Sequence, residues 1–496
     1  MSKVESKSKL NVICIFLTIV CVSILARYLI SIHPYSGMGK PPMFGDYEAQ
    51  RHWMEITTKT PIHQWYFNTT DNDLLYWGLD YPPLTAYLSW IYGKIGEVYE
   101  RPSMELFTSR GYETDTSKLF MRATVIISDL VVWLPSVWFF VNTYYNDKDL
   151  GSRILAFLFI SLQPGLLLID HGHFQYNGVS LGLALFGITF ILANRHLVGS
   201  AFFVLSLNYK QMSLYYAPAF FFYLFFSNLN LSSLSKIKQS FVNILLIGIV
   251  VILSFVLCWL PFLSIEQSSQ VLHRLFPFAR GLYEDKVANF WCSISILVNL
   301  KKLLSHDQII RVCLITTLTT LIPIAVGIYK KPNNRTVFLY SLVCSAFSFF
   351  LFSFQVHEKT ILLACMPISL LILKHPAIVW WFGVVSTYSM FPLLFKDQLV
   401  VPYLSVMAVY LIIGYQYQRS INASTVESKW TKLIYFTSFT GMLVSHVVFQ
   451  FIQAPASLPD LWLLGVCCFS FLHFIVTMIY FHHQTFSFNP IKFKSN

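Results

Sequence analysis

Two isolated carboxylates stand among aromatic, glycine and proline residues, just after the first long apolar segment. Asp46 lies in FGDYEAQRHW (44–53) and Asp80 lies in WGLDYPP (77–83). A carboxylate in such a place can act as a general base that takes the proton of an attacking hydroxyl. A plainer role fits equally well, because Asp46 follows a glycine and can begin a helix, and Asp80 precedes Tyr-Pro-Pro and can belong to a turn. The residue types leave both interpretations open.

A second polar cluster, DHGHFQYN (170–177), carries two histidines. His171 and His173 are two positions apart, so they do not share a helix face, and no cysteine or acid stands nearby at a metal-ligand spacing. We therefore predict no metal site. His173 and Gln175 are instead candidates for hydrogen bonds to sugar hydroxyls or to a phosphate.

Cations are concentrated in two further stretches. HRLFPFARGLYEDKVANFW (273–291) alternates cations, Arg280 among them, with aromatic rings. This pattern suits an anionic lipid head group, although ordinary anchoring at the membrane surface would also produce it. FQVHEKT (354–360) carries His357 and Lys359, which are either ligands of an anion or part of a structural ion pair between neighbouring apolar segments.

The composition is that of a membrane protein. The 496 residues are 55% hydrophobic and 12% charged, whereas soluble domains carry roughly 25% charged residues, so we predict an all-α polytopic membrane protein. The net charge of +11 fits basic cytoplasmic loops, and no nucleic-acid partner is predicted. The nine cysteines lie almost wholly inside apolar runs, which indicates buried hydrophobes rather than disulfides or metal ligands.

The apolar segments predict a topology. The first, at 11–32, follows a basic start and is long enough to cross a bilayer, which places the N-terminus in the cytosol. A total of about fourteen spans puts every short basic loop on the cytosolic side and every polar cluster described above on the lumenal side. We predict one membrane domain over 1–496, with lumenal loops at 33–118 and 265–308 and a cytosolic tail at 484–496. The second loop is expected to include a re-entrant or interfacial segment.

Two local signals agree with this topology. The tail carries Lys492 and Lys494 at the positions of the dilysine signal that retrieves membrane proteins to the endoplasmic reticulum. Four N-glycosylation sequons occur, and the topology puts Asn68 alone in the lumen, so we predict a glycan at Asn68; the others are Asn230, Asn334 and Asn422.

The sequence has carboxylates that could act as a base and cations that could bind an anion, but no nucleotide-binding loop. This set of residues suits glycosyl transfer from a polyprenyl phosphate. A polyprenyl phosphate is already a good anionic leaving group, so the acceptor hydroxyl needs one carboxylate as its base while cations hold the phosphate. A single displacement of this kind inverts the anomeric centre.

Several blocks resemble a known family in the order that the family has them. FGDYEAQRHWMEIT, WGLDYPPLTAY, LIDHGHFQYN and FLFSFQVHEKTILL are similar to blocks of the dolichyl-phosphate-glucose glucosyltransferases of asparagine-linked glycosylation. The resemblance runs from about Tyr35 to Trp462. The first of these blocks favours the members that add the first glucose, in alpha-1,3 linkage, to the nine-mannose lipid-linked oligosaccharide.

This resemblance implies a GT-C membrane fold, a metal-independent inverting reaction without a cofactor, and a site in the lumen of the endoplasmic reticulum. It implies a dolichyl-phosphate-glucose donor and a lipid-linked oligosaccharide acceptor, with membrane lipids around the protein. It also implies amphipathic helices in the first loop, and SWIYGKIGEVY (89–99) is a candidate. Carried over by motif, the base is Asp46, and the substrate-binding candidates are Asp80, His173, Gln175, Arg280, His357 and Lys359.

Two rival functions fit parts of the same pattern. The sibling transferase that adds the second glucose shares the DYPP and HFQYN blocks. A transporter of lipid-linked sugars would instead be expected to place ionisable residues within paired broken helices and on both membrane faces. Product formed from the nine-mannose acceptor alone would exclude the sibling, and movement of substrate without a new glycosidic bond would favour the transporter.

Overall fold

The computed structural model describes residues 3–276, 282, 286–298, 300–422 and 429–487, and this part of the chain is built from helices without a β-strand. Arg280 and the tail signal at Lys492 and Lys494 lie outside the described residues. The helices of the first half are α1 (Lys3–Ser31), α2 (Gly45–Lys59), α3 (Pro83–Tyr99), α4 (Asp115–Ser128), α5 (Leu134–Tyr144), α6 (Leu150–Ser161), α7 (Pro164–Leu167), α8 (Asn177–Leu192), α9 (His196–Tyr209), α10 (Ala217–Asn228) and α11 (Leu234–Trp259). Those of the second half are α12 (Ile265–Leu275), α13 (Phe290–Ile294), α14 (Leu300–Leu303), α15 (His306–Lys330), α16 (Arg335–Phe352), α17 (Leu362–Ser369), α18 (Pro376–Ser389), α19 (Phe391–Lys396), α20 (Val400–Asn422), α21 (Lys429–Phe451) and α22 (Leu461–Ser487).

Membrane-spanning helices dominate the architecture. Within the described residues, seven helices are long and apolar enough to cross a bilayer, and α6 with the segment Pro164–Phe174, bent by 46°, would make an eighth. Several other predicted spans correspond to shorter apolar helices, such as α8 and α9. Most side chains of α11 and α21 face outward, as lipid-facing helices require. The chain is thus a polytopic helical protein, and the count of about fourteen spans stays a prediction.

Two π-helical segments interrupt the bundle near one end. Asp129–Trp133 joins α4 to α5, and Leu168–Phe174 follows α7. Such segments are rare and frequently occur at functional sites, because the extra residue redirects side chains. Here they carry Asp129, His171 and His173 into the protein interior.

The first long loop folds onto the same end of the bundle. Its helix α2 is polar in sequence, yet every residue from Tyr47 to Thr57 is buried. On α2, Tyr47 and Met54 belong to a buried cluster with Phe174 and Tyr176. Trp53 and Ile56 of the same helix belong to a second buried cluster that includes Phe262, in the segment between α11 and α12. The loop is therefore an integral part of the fold.

Burying a polar helix requires its charged groups to be paired. Arg51 donates to Glu48 at 2.6 and 2.8 Å, to Glu55 at 2.8 Å and to the Ser109 hydroxyl at 2.6 Å. Burial would raise the pKa of the Glu55 carboxyl, but the hydrogen bond from His52 and the charge of Arg51 lower it to about 2. This network attaches α2 to the chain around residue 109 and so holds the helix start in place.

The predicted amphipathic segment 89–99 forms the second half of α3. Its Gly93 and Gly96 face inward, while Ile95 and Val98 on the other side are half or more exposed. An exposed apolar face of this kind suits a helix that lies at a membrane surface.

Candidate active site

Asp46 lies in the first turn of α2. The chain reaches the helix through Phe44 at a φ of 60° and Gly45 at a φ of 77°, and a Cβ at Gly45 would come within 2.8 Å of the Ser36 backbone. The backbone N–H of Asp46 donates to the Ser36 hydroxyl at 3.3 Å. The plainer interpretation, an acid at a helix start, is therefore correct for the backbone, but the carboxylate is directed towards other elements.

Three side chains from distant segments converge on one oxygen of that carboxylate. Asp46 Oδ2 lies 2.9 Å from His173 Nε2 and accepts hydrogen bonds from Gln175 Nε2 at 2.5 Å and Lys359 Nζ at 2.5 Å. Within the described part of the chain, Oδ1 accepts no hydrogen bond from a side chain. The carboxylate is thus held at one oxygen by three side chains.

The Asp46 carboxylate lies at the wall of a cavity of about 480 Å³. Its side chain is 22% exposed and that of Lys359 is 21% exposed, so both can meet a ligand. The polar members of the wall are Asp46, Gln50, Asp80, Gln175, Asn177, Ser180, Lys210, Gln211, His357, Lys359 and Thr360, and its aromatic members are Trp53, Trp77 and Tyr81. Polar groups of both signs beside flat rings are what a sugar phosphate requires.

The charges around Asp46 determine its ionisation. Burial by itself would raise the pKa of the Asp46 carboxyl, but the charge of Lys359 and the contact with His173 hold it well below its usual range. Burial would lower the pKa of Lys359, and the Asp46 carboxylate raises it above the usual lysine value. Asp46 is therefore ionised, as a base must be before it takes a proton.

A second lysine faces the same cavity. Lys210 Nζ donates to Asn177 Oδ1 at 2.7 Å, and Asn177 in turn donates to the Asp170 carboxylate at 2.8 Å. Burial and the charge of Lys359 lower the pKa of Lys210 below the ordinary lysine value. An anion in the cavity would relieve the repulsion between the two lysines, which makes them a natural pair for a phosphate.

His173 does not lie on the cavity wall. It is 2% exposed, and its Nδ1 is hydrogen-bonded to Asp397, a residue that the sequence did not single out. The second histidine of the cluster is occupied elsewhere, because His171 Nε2 lies 3.0 Å from Asp129 Oδ2, which also accepts from Arg27 Nε at 2.7 Å. No three metal-ligating side chains within the described residues form a group that could hold a metal ion.

Most of the predicted site residues come together at this cavity. Asp46, Asp80, Gln175, His357 and Lys359 line it, and the Asp46 carboxylate meets Lys359, which lies 313 positions away. The alternative for Lys359, an ion pair between neighbouring spans, is replaced by an ion pair with the first loop.

The cation-rich stretch at 273–291 is described in part. Arg274 donates to the Gly78 carbonyl at 2.6 Å and to the Leu79 carbonyl at 3.1 Å, beside the cavity-lining Asp80. Lys286 pairs with Asp460 at 3.0 Å. Both contacts join segments that the predicted topology places on one side of the membrane.

Sequence reasoning missed several members of the site, some of which had a signal. Lys210 stands in NYKQM at a predicted lumenal helix end, and Trp53 and Trp77 lie in the two blocks that drew attention to Asp46 and Asp80. Asp397 lies in a short turn on the predicted lumenal side, between two apolar segments. An isolated acid at such a turn is a functional candidate by the same rule that selected the others.

This arrangement can perform one kind of chemistry directly. An ionised carboxylate can take a proton from a hydroxyl, and two lysines in the same cavity can hold an anionic group as its negative charge increases. The aromatic rings can pack on the faces of a sugar. The site is thus equipped for transfer from a glycosyl phosphate to an alcohol.

Known proteins with similar sequences agree with this chemistry. Residues 16–480 match the model of the ALG6, ALG8 glycosyltransferase family. A probable dolichyl pyrophosphate Man9GlcNAc2 alpha-1,3-glucosyltransferase of Dictyostelium discoideum is 63% identical over 99% of this chain and 98% of its own length. The dolichyl pyrophosphate Man9GlcNAc2 alpha-1,3-glucosyltransferase of Gallus gallus is 43% identical over 93% of this chain and 95% of its own length. Because the family model covers residues 16–480 and these relatives match nearly the whole chain, the chain belongs to the ALG6, ALG8 glycosyltransferase family.

Proposed function

We propose that this protein transfers glucose from dolichyl-phosphate-glucose to the Man9GlcNAc2 oligosaccharide on a dolichyl pyrophosphate carrier. The new bond is an alpha-1,3 linkage to a terminal mannose, the first glucosylation of the N-glycan precursor. The observation that carries the proposal is the Asp46 carboxylate, held by Lys359 and Gln175 at the wall of a cavity. The names of relatives at 63% and 43% identity support the acceptor.

In this reaction Asp46 is the general base. It takes the proton of the mannose 3-hydroxyl, and the hydroxyl oxygen attacks the glucose anomeric carbon on the face opposite the phosphate. The bond from that carbon to the phosphate oxygen breaks, and its electron pair stays with the dolichyl phosphate. One displacement converts the beta-linked donor into an alpha-linked product.

The cations of the cavity receive the leaving group. Lys359 and Lys210 lower the energy of the phosphate as it gains charge, and His357 is a further donor on the same wall. Arg280 remains a proposed phosphate ligand from the sequence. Asp80 and Gln175 are proposed to bind sugar hydroxyls, and the Gln175 carbonyl oxygen is buried without a hydrogen-bond partner among the described residues.

We further propose a GT-C bundle of about fourteen spans in the endoplasmic reticulum membrane, with a lumenal site and cytosolic termini. Two observations support this topology. Four of the polar clusters predicted to be lumenal, 44–53, 77–83, 170–177 and 354–360, contribute residues to one cavity. Lys286, in the fifth cluster, forms an ion pair with Asp460, in another predicted lumenal loop.

The test is transfer by the purified protein in detergent. Synthetic dolichyl-phosphate-glucose and a nine-mannose acceptor are expected to give a product heavier by one hexose, with an alpha linkage and at an equal rate in the presence of a chelator. An acceptor that already carries one glucose is expected to give none. Transfer to the glucosylated acceptor alone would indicate the second-glucose sibling, and movement of the donor across proteoliposomes without a new bond would indicate a transporter.

A further inference from the structure

A buried carboxylate behind the site is not used by the proposed reaction. Asp397 is 6% exposed and lies in the turn between α19 and α20. It is hydrogen-bonded to Nδ1 of His173. A buried carboxylate is costly unless it is paired, and this one is paired with a ring that contacts the base.

His173 lies between the two carboxylates. Its Nε2 is 2.9 Å from Asp46 Oδ2 and 3.0 Å from Lys359 Nζ, while its Nδ1 contacts Asp397. Both ring nitrogens are therefore committed to protein groups. The ring can act on a substrate through Asp46 and Lys359, which do line the cavity.

Further hydrogen bonds connect the segments that carry Asp46, His173 and Asp397. The Ser36 N–H donates to the His173 carbonyl at 3.0 Å, and the Ser36 hydroxyl accepts from the Asp46 N–H at 3.3 Å. Lys40 Nζ donates to the Lys396 carbonyl at 3.3 Å, next to Asp397. The turn that carries Asp397 is thus joined to the loop that leads into α2.

We infer that Asp397 is a positioning residue for the Asp46 base, acting through His173; this inference rests on the proposed function. The Nδ1–H donates to Asp397, which selects one ring orientation and directs Nε2 at Asp46 and Lys359. That orientation keeps Asp46 Oδ2 in its hydrogen bonds and so holds the carboxylate in place at the cavity wall.

The inference predicts a loss in turnover without a loss in binding. A displacement of about 1 Å at a reacting group costs on the order of 100-fold in rate. Asp397→Asn is therefore expected to lower kcat about 10- to 100-fold and to leave the KM of donor and acceptor within about twofold. Asp397→Glu keeps the negative charge that fixes the Nδ1–H tautomer, whereas the asparagine amide can also turn its N–H towards Nδ1 and select the other tautomer. The glutamate variant is therefore expected to retain more of the wild-type kcat than the amide variant.

A double-mutant cycle tests whether the effect passes through His173. If the effect passes through His173, His173→Gln lowers kcat, and adding Asp397→Asn to that variant changes kcat by no more than about twofold. If the two residues acted independently, the two losses in kcat would multiply in the double variant. Asp71→Asn, an exposed acid in the first loop, serves as the charge-matched control with wild-type kinetics. Any of three results would overturn the inference. These are kcat losses of the two substitutions that multiply in the double variant, a raised KM in Asp397→Asn, and a normal kcat in Asp397→Asn.

The remaining outcomes are decided by the single variants. Should neither Asp397 variant fold, His173→Gln alone decides, because the inference requires a reduced kcat at unchanged KM, and a raised donor KM would place His173 on the substrate. Failure of the proposed function shows itself differently: the wild-type protein would then form no glycosidic product from the nine-mannose acceptor.

Discussion

Replacing Asp46 with asparagine removes the proposed base and is expected to leave the shape of the site nearly unchanged. The amide oxygen can still accept from Lys359 and Gln175, the two donors at 2.5 Å, so the side chain keeps its place. The amide cannot take a proton, so the variant loses what a general base supplies, about 100- to 10,000-fold in rate. At 1.36 kcal/mol per tenfold, the barrier rises by about 2.7 to 5.4 kcal/mol.

The affinity for the donor is expected to stay the same or to increase in Asp46→Asn, although the rate falls. Asp46→Asn removes a negative charge beside Lys359, so the cavity becomes more positive, and the anionic donor binds as tightly as to the wild-type protein or more tightly. Single-turnover formation of the hexose-extended product measures the chemical step, and calorimetry with synthetic donor measures affinity. Asp80→Asn, a substitution on the same cavity wall, serves as the comparison. It is expected to raise the KM of a sugar substrate and to lower kcat less than Asp46→Asn does.

Two results would refute this reasoning. Turnover of Asp46→Asn within about tenfold of the wild-type rate would show that Asp46 is not the base, because the expected minimum is about 100-fold. Loss of both rate and donor affinity, with a lowered melting temperature, would show that Asp46 holds the site together and does not act in the reaction.

Three further predictions follow from the described contacts. Lys359→Met removes the charge that keeps the pKa of Asp46 low, so the acid limb of the pH–rate profile is expected to move to higher pH. Glu55→Gln leaves buried Arg51 without one of its carboxylates and is expected to cost about 3–5 kcal/mol of stability, seen as a lower melting temperature in detergent. Asn68→Gln is expected to abolish the shift in gel mobility that glycosidase treatment produces in the wild-type protein.

Each of these has a contrary outcome. An unchanged acid limb in Lys359→Met would mean that another group sets the ionisation of Asp46. The pKa of Glu55 is lowered from 4.5 to about 2 in the folded protein. The stability that Glu55 contributes is therefore present above pH 4.5 and is lost as the pH falls towards 2. A pH dependence of stability in this range that is the same in Glu55→Gln as in the wild-type protein would contradict this prediction. A glycan at Asn334 would contradict the predicted topology, and the Asn334 side chain is already occupied in capping α16.

Sequence patterns predicted some of the site because those signals are local. Apolar segments interrupted by charged residues mark membrane-edge positions, and an ionisable group there is a functional candidate without knowledge of its partners. Asp46, Asp80, His357 and Lys359 are ionisable groups of this kind, whereas Gln175 was selected as a hydrogen-bonding neighbour of the histidines, and the family resemblance supplied the individual roles. All five line one cavity. Helix α2 also begins at Gly45, the glycine that precedes Asp46, as local backbone preferences indicate.

The amino-acid sequence by itself determined that the chain is a helical membrane protein and which polar residues deserve chemical roles, because composition and hydropathy act over short stretches. The tertiary structure alone decided which of those groups touch. His173 meets Asp46 across 127 positions, Lys359 meets it across 313, and Asp397 meets His173 across 224. Contacts over such separations depend on how the helices pack, so no local pattern could show that a buried histidine joins the base to a second carboxylate.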